Sequence, residues 1–308
     1  MALILNALED IQLPGAWLTI GSFDGVHRGH QELIRSLVRG AHQVGSPAVV
    51  LTFYPHPVVV LRRLSGPYYL TPPDERSTLL KELGVDAVFT LAFDLQMAAI
   101  SAEDFMTRVY AHLSPQQLWV GYNFALGRNR QGDVPALRLF GERLGYQLNV
   151  VAPVVVDGEI VSSTLLRQLL LAGEVEHAAR GLGRYYALTG EIIHGDGRGR
   201  GLGIPTANLT IWPDQIIPAN GIYACWAWVD GKRWAAVTNV GVRPTFEGNG
   251  NPLRIEAHLL DFDQDVYGKQ LRLEFVARQR EERRYSTIEA LMEQIVLDIK
   301  EARVRLMQ

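Results

Sequence analysis

The sequence predicts two domains in series: a doubly wound α/β unit built on a parallel sheet, then a small antiparallel β-barrel followed by a terminal helix. Three observations carry this expectation. Strand and helix signals alternate up to about residue 183. Beyond that point helical periodicity vanishes, and about six short strands separated by turn signals take over. Finally, 308 residues is long for a single hydrophobic core. The composition shift sets the expected domains at 1–183 and 184–308.

In the first half, Trp17 to Ile20 is an apolar run ending at Gly21. Leu33, Ile34, Leu37, Val38 and Ala41 then recur at helical spacing until Gly45, and Ala48 to Phe53 forms a second strand-like run. This is a βαβ unit, which implies parallel strands and a right-handed crossover. Thr71-Pro72-Pro73-Asp74 opens a helix carrying Leu79, Leu80 and Leu83. Val85 to Leu91 reads as a strand, and Ser101 with Asp104 caps a helix carrying Phe105, Val109 and Leu113. Strands follow at Leu118–Val120 and Leu148–Ala152, then a helix from Ser162 to Leu171 that Gly173 closes. The arrangement is Rossmann-like. In the second half the strands are expected at Ala187–Ile193, Leu209–Trp212, Ile222–Val229, Arg233–Val240, Arg254–Leu260 and Gln270–Ala277, with Asp230-Gly231 as a hairpin turn. A last helix, capped by Ser286 with Glu289, places Ile288, Leu291, Met292, Ile295 and Ile299 on one side.

Hydrophobic residues make up 47% and charged residues 20% of the chain, ordinary values for a globular protein. No stretch approaches the ~18 apolar residues of a membrane helix. The first residues carry Glu9 and Asp10 and no basic group, unlike a targeting peptide. The single cysteine, Cys225, sits in an apolar run and reads as a small buried side chain. These features point to the cytoplasm. A net charge of −3 supplies no global field for nucleic acid or anionic membrane, so any phosphate must be held by local geometry.

One candidate for that geometry is Gly21-Ser22-Phe23-Asp24-Gly25-Val26-His27-Arg28-Gly29-His30, between the first strand and first helix. Ligands of such sheets bind at the carboxyl ends of the strands, and a helix start offers free N–H groups to phosphate. His27 and His30 lie three apart, so both can face one phosphate, and Gly29 permits close approach of a nucleotide. Two imidazoles there can donate to oxygens gaining charge as pyrophosphate leaves. Ser162-Ser163-Thr164-Leu165-Leu166-Arg167 starts a later helix, and its hydroxyls, amides and Arg167 suit the outer phosphates of ATP. Alone it reads equally as a capped helix with an exposed arginine. Asn123, after the Leu118–Val120 strand, can read a base or an acceptor; alone it is a turn asparagine. A class I aminoacyl-tRNA synthetase shares His-x-Gly-His, but no lysine-rich loop accompanies it here.

A second candidate is the glycine-rich run from Gly195 to Gly203, followed by Ile204-Pro205-Thr206-Ala207-Asn208. It is neither a P-loop nor a dinucleotide fingerprint, and by composition alone it is a surface loop. Its amides can nonetheless wrap phosphates, and Thr206 and Asn208 offer oxygen ligands of the kind Mg²⁺ prefers. Arg254, Glu256 and His258 alternate with Ile255, Ala257 and Leu259 and so share one strand face. That face either meets water or lines a site in which Glu256 accepts a proton. Arg280-Glu281-Glu282-Arg283-Arg284 is either a solvated charge run or a lid before the last helix.

With these residues in place, the chain resembles the bacterial bifunctional riboflavin kinase/FMN adenylyltransferase family, also called FAD synthetases, over nearly its whole length. The matching stretches are GSFDGVHRGHQ at 21–31, TFYPHP at 52–57, GYNFALGRNRQGD at 121–133 and SSTLLR at 162–167. In the second half they are GRGLGIPTANL at 199–209, NVGVRPTF at 239–246, EAHLLDF at 256–262, VYGKQL at 266–271 and REERRYS at 280–286. Tyr185, Tyr285, Ala125 and Leu126 depart from the family pattern. The resemblance implies that the barrel converts riboflavin and ATP to FMN, and that the first domain converts FMN and ATP to FAD and pyrophosphate, with Mg²⁺ in both steps. It implies that His27 and His30 stabilise the adenylyl-transfer transition state, and that Gly21, Phe23, Asp24, Asn123, Ser163, Thr164 and Arg167 bind nucleotide or FMN phosphate. In the barrel it implies Mg–ATP held by Thr206 and Asn208, ligand contact by Gly199 and Gly203, Glu256 as general base and Arg280 in a flavin-side loop. Two other readings are a transferase with a different phosphorylated acceptor and a flavin-binding regulator on an inactive scaffold. The attached barrel opposes the first, and the intact set of His27, His30, Thr206, Asn208 and Glu256 opposes the second. The oligomeric state is left open.

Overall fold

The computed structural model describes residues 3–5, 13–194, 204–242 and 253–307. Contacts divide the chain into two compact units, Met1–Ser163 and Thr164–Gln308.

The first unit begins with β1 (Leu3–Leu5), β2 (Trp17–Ile20), α1 (Arg28–Gln43), β3 (Ala48–Tyr54), α2 (Pro57–Arg62), α3 (Pro73–Glu82) and β4 (Ala87–Ala92). It continues through α4 (Leu95–Ala99), α5 (Ala102–Leu113), β5 (Gln117–Gly121), the short β6 (Ala125–Leu126) and β7 (Gly132–Asp133), α6 (Val134–Leu144), β8 (Gln147–Val151), β9 (Val155–Val156) and β10 (Glu159–Ile160). Strand β3 shows why the sheet needs cover on both faces. Its residues Ala48 to Phe53 are all buried. Val49, Leu51 and Phe53 pack with Leu18, Ile20, Phe105 and Leu118 on one side, while Val50 packs with Ile34, Leu80 and Val88 on the other. A strand covered twice reads as a continuous apolar run, as this one does. The six-stranded sheet has the order β1-β4-β3-β2-β5-β8, and every pairing in it is parallel. From β2 the chain steps outward through β3 and β4, then returns to β5 on the opposite side. The switch point therefore lies between the carboxyl ends of β2 and β5.

Among the elements that the sequence pattern missed, a crossover helix and an edge strand bear on this sheet. Helix α6, the crossover from β5 to β8, carries its own signals: Asp133 caps the Ala136 amide at 3.0 Å, a proline sits in its first turn, and Gly145 closes it at φ +91°. Strand β1 joins the outer edge beside β4.

The second unit opens with α7 (Ser163–Ala172), whose first residue is the last of the first unit, and α8 (Val175–Leu182). The barrel strands are β11 (Tyr186–Ile193), β12 (Ala207–Ile211), β13 (Gly221–Val229), β14 (Lys232–Val242), β15 (Leu253–Leu259) and β16 (Gln270–Arg280), followed by α9 (Ile288–Leu306). They close in the order β11-β12-β15-β14-β13-β16. Asp230 and Gly231 both take positive φ between Val229 and Lys232, the backbone that a two-residue hairpin demands. Alternate residues fill the interior, including Leu188, Tyr223, Cys225, Leu273 and Phe275, all fully buried. Burial pushes the Cys225 thiol up to about 12, consistent with an inert packing residue. Helix α8 packs on β16 and β11, and the Ala219 amide donates to Leu170 in α7 at 3.0 Å.

Helix α9 lies across the outside of β13, β14 and β16, with Ala302 and Leu306 against Ala224, Trp226 and Val237. Its cap is Thr287, which accepts from the Ala290 amide, one residue after the expected Ser286. Ile288 is exposed, so the apolar stripe begins later than its sequence spacing suggests. Within the buried face sits Asp298, only 3% exposed. Its carboxylate takes two hydrogen bonds from Arg280, at 2.8 Å from Nε and 2.6 Å from Nη2, and one from Gln294 at 2.9 Å. The bidentate bond to Asp298 holds the Arg280 guanidinium above its ordinary range, against the opposing effect of burial. Removing one partner of a buried pair strands the other charge. Asp298→Ala is expected to destabilise the second unit by about 3–5 kcal/mol, read as an earlier urea transition of that unit. A loss below about 1 kcal/mol would show the pair to be solvated and weak.

Candidate functional sites

At the switch point the chain leaves β2 and turns before α1, and the turn is tied down atom by atom. Gly21 N–H donates to Leu51 at 3.0 Å, continuing the β2–β3 ladder. The Ser22 carbonyl accepts from Thr52 Oγ1 at 3.2 Å and from Arg76 Nη1 at 3.0 Å. The Asp24 carboxylate, 1% exposed, accepts from the Leu70 amide at 3.1 Å and the Thr71 amide at 3.2 Å, while the Gly25 amide donates to Thr71 Oγ1 at 3.2 Å. Phe23 and Val26 hold φ of +48° and +38° inside this turn. Such conformations cost about 1–3 kcal/mol each and persist only where the surroundings over-determine them.

The outcome is the presentation of α1. His27 is its N-cap, with Nδ1 accepting from the His30 amide at 3.4 Å. A neutral His27 with Nδ1 accepting carries its proton on Nε2 as a donor. The His27 and His30 rings stack with centroids 3.6 Å apart, and Phe23 meets His30 edge-on at 5.2 Å. A Cβ on Gly29 would lie 3.1 Å from the His27 ring, so the glycine makes room for the stack. The first amides of the helix lie beside these rings, where helix geometry favours an anion.

The predicted residues separate into those at the surface of this turn and those beneath it. His30 is partly exposed and His27 lies close behind it, 6% exposed. Phe23 is buried among Val26, Ile34 and Val50 and packs under Gly21, while Asp24 pins the Leu70–Thr71 segment; both act from below. Ser163 Oγ donates to the Asp24 carbonyl at 2.9 Å, linking the first residue of α7 to the turn. Thr164, exposed, and Arg167, half-buried, follow on α7 in the second unit. Asn123 is exposed just beyond β5, the strand beside β2, and its carbonyl accepts from Arg130 at 3.0 Å. Arg76, absent from the sequence reading, is the buried cation under the turn. In the sequence it is one charged residue among several in the first half of a helix read for Leu79, Leu80 and Leu83.

In the barrel, register does what the turn does in the first unit. Glu256 of β15 pairs with Asn208 of β12 on one side and with Asn239 of β14 on the other. Ile255 and Ala257 are buried inward, so Arg254, Glu256 and His258 share the outer face, as the alternation predicts. Arg254 Nη1 lies 3.2 Å from Glu256 Oε1. His258 Nδ1 lies 2.8 Å from the Pro205 carbonyl, holding the chain just before Thr206. Asn239 Nδ2 reaches Glu282 Oε1 at 3.5 Å, and Asn239 Oδ1 is buried without a partner among the described residues. Asn239 was quoted within a motif and not singled out, since nothing in the sequence aligns β14 beside Glu256. Gly199 and Gly203 lie outside the described residues. Arg280 also sits apart from this row of side chains in its contacts: its guanidinium bonds Asp298 and the Glu281 carbonyl. Among the described residues no cluster of three or more His, Cys, Asp or Glu suits a metal ion by itself.

Comparison with known proteins identifies a family for each half of the chain. The FAD synthetase family profile matches residues 10–165, and the riboflavin kinase profile matches residues 182–306. The bifunctional riboflavin kinase/FMN adenylyltransferase of Pseudomonas fluorescens is 38% identical, over 94% of this chain and 92% of its own. Its counterpart in Escherichia coli strain K12 is 35% identical, over 97% and 95% respectively. A crystal structure from Streptococcus pneumoniae, described as a macrolide-efflux protein, superposes with a TM-score of 0.89 at 29% identity and 98% coverage of both chains. No helix among the described residues here is long and apolar enough to cross a membrane. The chain belongs to the bifunctional riboflavin kinase/FMN adenylyltransferase family, whose two activities make FMN and then FAD.

Proposed function

We propose that the two activities divide between the two halves, with FMN adenylylation in 1–183 and riboflavin phosphorylation in 184–308. The observation that carries the first assignment is the His27–His30 stack on the N-terminus of α1 at the sheet's switch point. A phosphate oxygen of FMN forms a bond to the α-phosphorus of ATP as the bond to the bridging oxygen breaks, and pyrophosphate leaves with the electron pair. His27 and His30 donate to the oxygens that gain this charge, together with the amides of α1. Gly21 leaves room for the Phe23 ring at the nucleotide end of the turn, while Phe23 and Asp24 hold the turn from beneath. Asn123, Ser163, Thr164 and Arg167 contribute polar groups for nucleotide or FMN phosphate.

In the barrel, the ribityl hydroxyl of riboflavin bonds to the γ-phosphorus of ATP, ADP departs, and Glu256 takes the hydroxyl proton. Arg254 fixes the carboxylate's orientation, leaving its second oxygen for the proton. The donor set is oxygen-rich: the Asn208 amide and Asn239 Oδ1, unpartnered among the described residues, flank Glu256, and the Thr206 hydroxyl lies two residues before Asn208. Such donors fit Mg²⁺, which when bound with ATP neutralises phosphate charge. Gly199 and Gly203 belong to the loop expected to wrap those phosphates. Arg280 sets the start of the segment carrying Glu282 through its bonds to Asp298 and Glu281.

Separate sites make separable defects. His27→Ala or His30→Ala is expected to lower FAD formation from supplied FMN by about 10²-fold or more while leaving FMN formation from riboflavin unchanged. FAD formation near the wild-type rate would remove the first assignment.

Glu256→Gln keeps shape and hydrogen bonding but removes the base. Kinase turnover should fall about 10²- to 10⁴-fold with FAD synthesis from supplied FMN untouched. A fall of less than about tenfold in a folded protein would leave Glu256 as a positioning group.

A further inference from the structure

Arg76 of α3 is fully buried, and among the described residues it heads the largest side chains without solvent exposure. Its guanidinium donates in two directions. Nη1 bonds the Ser22 carbonyl at 3.0 Å, just past the end of β2, and Nη2 bonds the Phe53 carbonyl at 3.1 Å, in β3. Nε is buried with no partner among the described residues. Burial pulls this guanidinium below its ordinary range, and the negative charge of Asp24 only partly opposes that pull. A core position could hold an apolar side chain of similar volume without those costs. The costs point to a task beyond filling space, and the bonds show which backbone the task concerns.

We propose that Arg76 is a positioning residue for adenylyl transfer, locking the Gly21–His27 turn to strand β3 and thereby setting where His27 and His30 meet the reacting phosphates. The inference deepens the assignment of the first site and rests on it. A planar guanidinium can bond the turn carbonyl of Ser22 and the strand carbonyl of Phe53 at once, whereas a lysine ammonium is a compact point charge and cannot reproduce the fork. With the Arg76 bond lost and Thr52 Oγ1 left holding the Ser22 carbonyl, the strained residues Phe23 and Val26 lose one of the constraints that hold them at positive φ. Small displacement of a catalytic group is costly, about 10²-fold for 1 Å. Because the histidines act on charge that develops as the bond breaks, the loss falls on kcat and not on substrate binding.

The test uses the full-length chain with Arg76→Lys and Arg76→Met, measuring kcat and KM for ATP and FMN, riboflavin kinase turnover, and the thermal melt of each preparation. The expected result is a fall in FAD-forming kcat of about 10²-fold per folded chain, with both KM values within about threefold and kinase turnover unchanged. An unchanged kcat per folded chain with a lowered melting temperature would make Arg76 a purely structural residue and overturn the inference. So would a loss carried by the ATP KM, or failure of both variants to fold the first unit. Running His27→Ala alongside separates the two levels. If it abolishes FAD formation while Arg76→Lys does not, only the Arg76 role is wrong; if it leaves FAD formation intact, the site assignment itself falls.

Discussion

The turn from Gly21 to His27 must hold two bulky residues at positive φ, and the rest of the first unit is arranged so that it can. Phe23 and Val26 are anchored by burial with Ile34, Val50, Leu80 and Val88. Asp24 reaches across to the amides of Leu70 and Thr71, and Arg76 with Thr52 grips the Ser22 carbonyl. Strain at these two residues would relax in an isolated peptide; here the alternatives are blocked by hydrogen bonds to β3, to the segment after α2 and to α3. The consequence is a helix whose N-cap is an imidazole, where a short hydroxyl or carboxylate would cap more tightly. The helix gives up some local stability and places its N-terminus beside two stacked rings, where helix geometry favours an anion.

The barrel reaches its site by a different route. There the candidate side chains come from three neighbouring strands, and the ladder alone brings Asn208, Glu256 and Asn239 into one row. A one-residue slip of β15 would turn Glu256 into the core and Ala257 outward. Register is secured by the closed circuit of strands and by an interior that alternates strictly, with Ile255, Ala257 and Leu259 inward. The clamp between Arg280 and Asp298 then fixes where the chain leaves β16, and so where Glu282 approaches Asn239.

Much of this was legible in the sequence because period and punctuation report local backbone directly. The first βαβ unit, the Asp230-Gly231 hairpin and the shared face of Arg254, Glu256 and His258 follow from spacing alone. The pair His27 and His30 was legible because a strand-to-helix turn fixes both rings locally. What escaped depends on partners distant in the chain. Arg76 looks like an ordinary helical surface residue until Ser22 and Phe53 are seen above it. Asp298 sits in a helix read for its leucines and isoleucines, and only β16 supplies its arginine. The end of helical periodicity marks where the barrel strands begin, but it says nothing about what preceding helices pack against, and α7 and α8 cluster with the barrel.

The role of the Gly21–His27 turn depends most directly on where a triphosphate sits in the first unit. A crystal structure of the full chain with FMN and a non-hydrolysable ATP analogue, at a resolution that places phosphate oxygens, measures this. The predicted result is a triphosphate at the N-terminus of α1, with His27 and His30 ring nitrogens about 3 Å from its oxygens and the Gly21–His27 turn unmoved. A triphosphate bound elsewhere in that unit, with neither ring in contact, would contradict it.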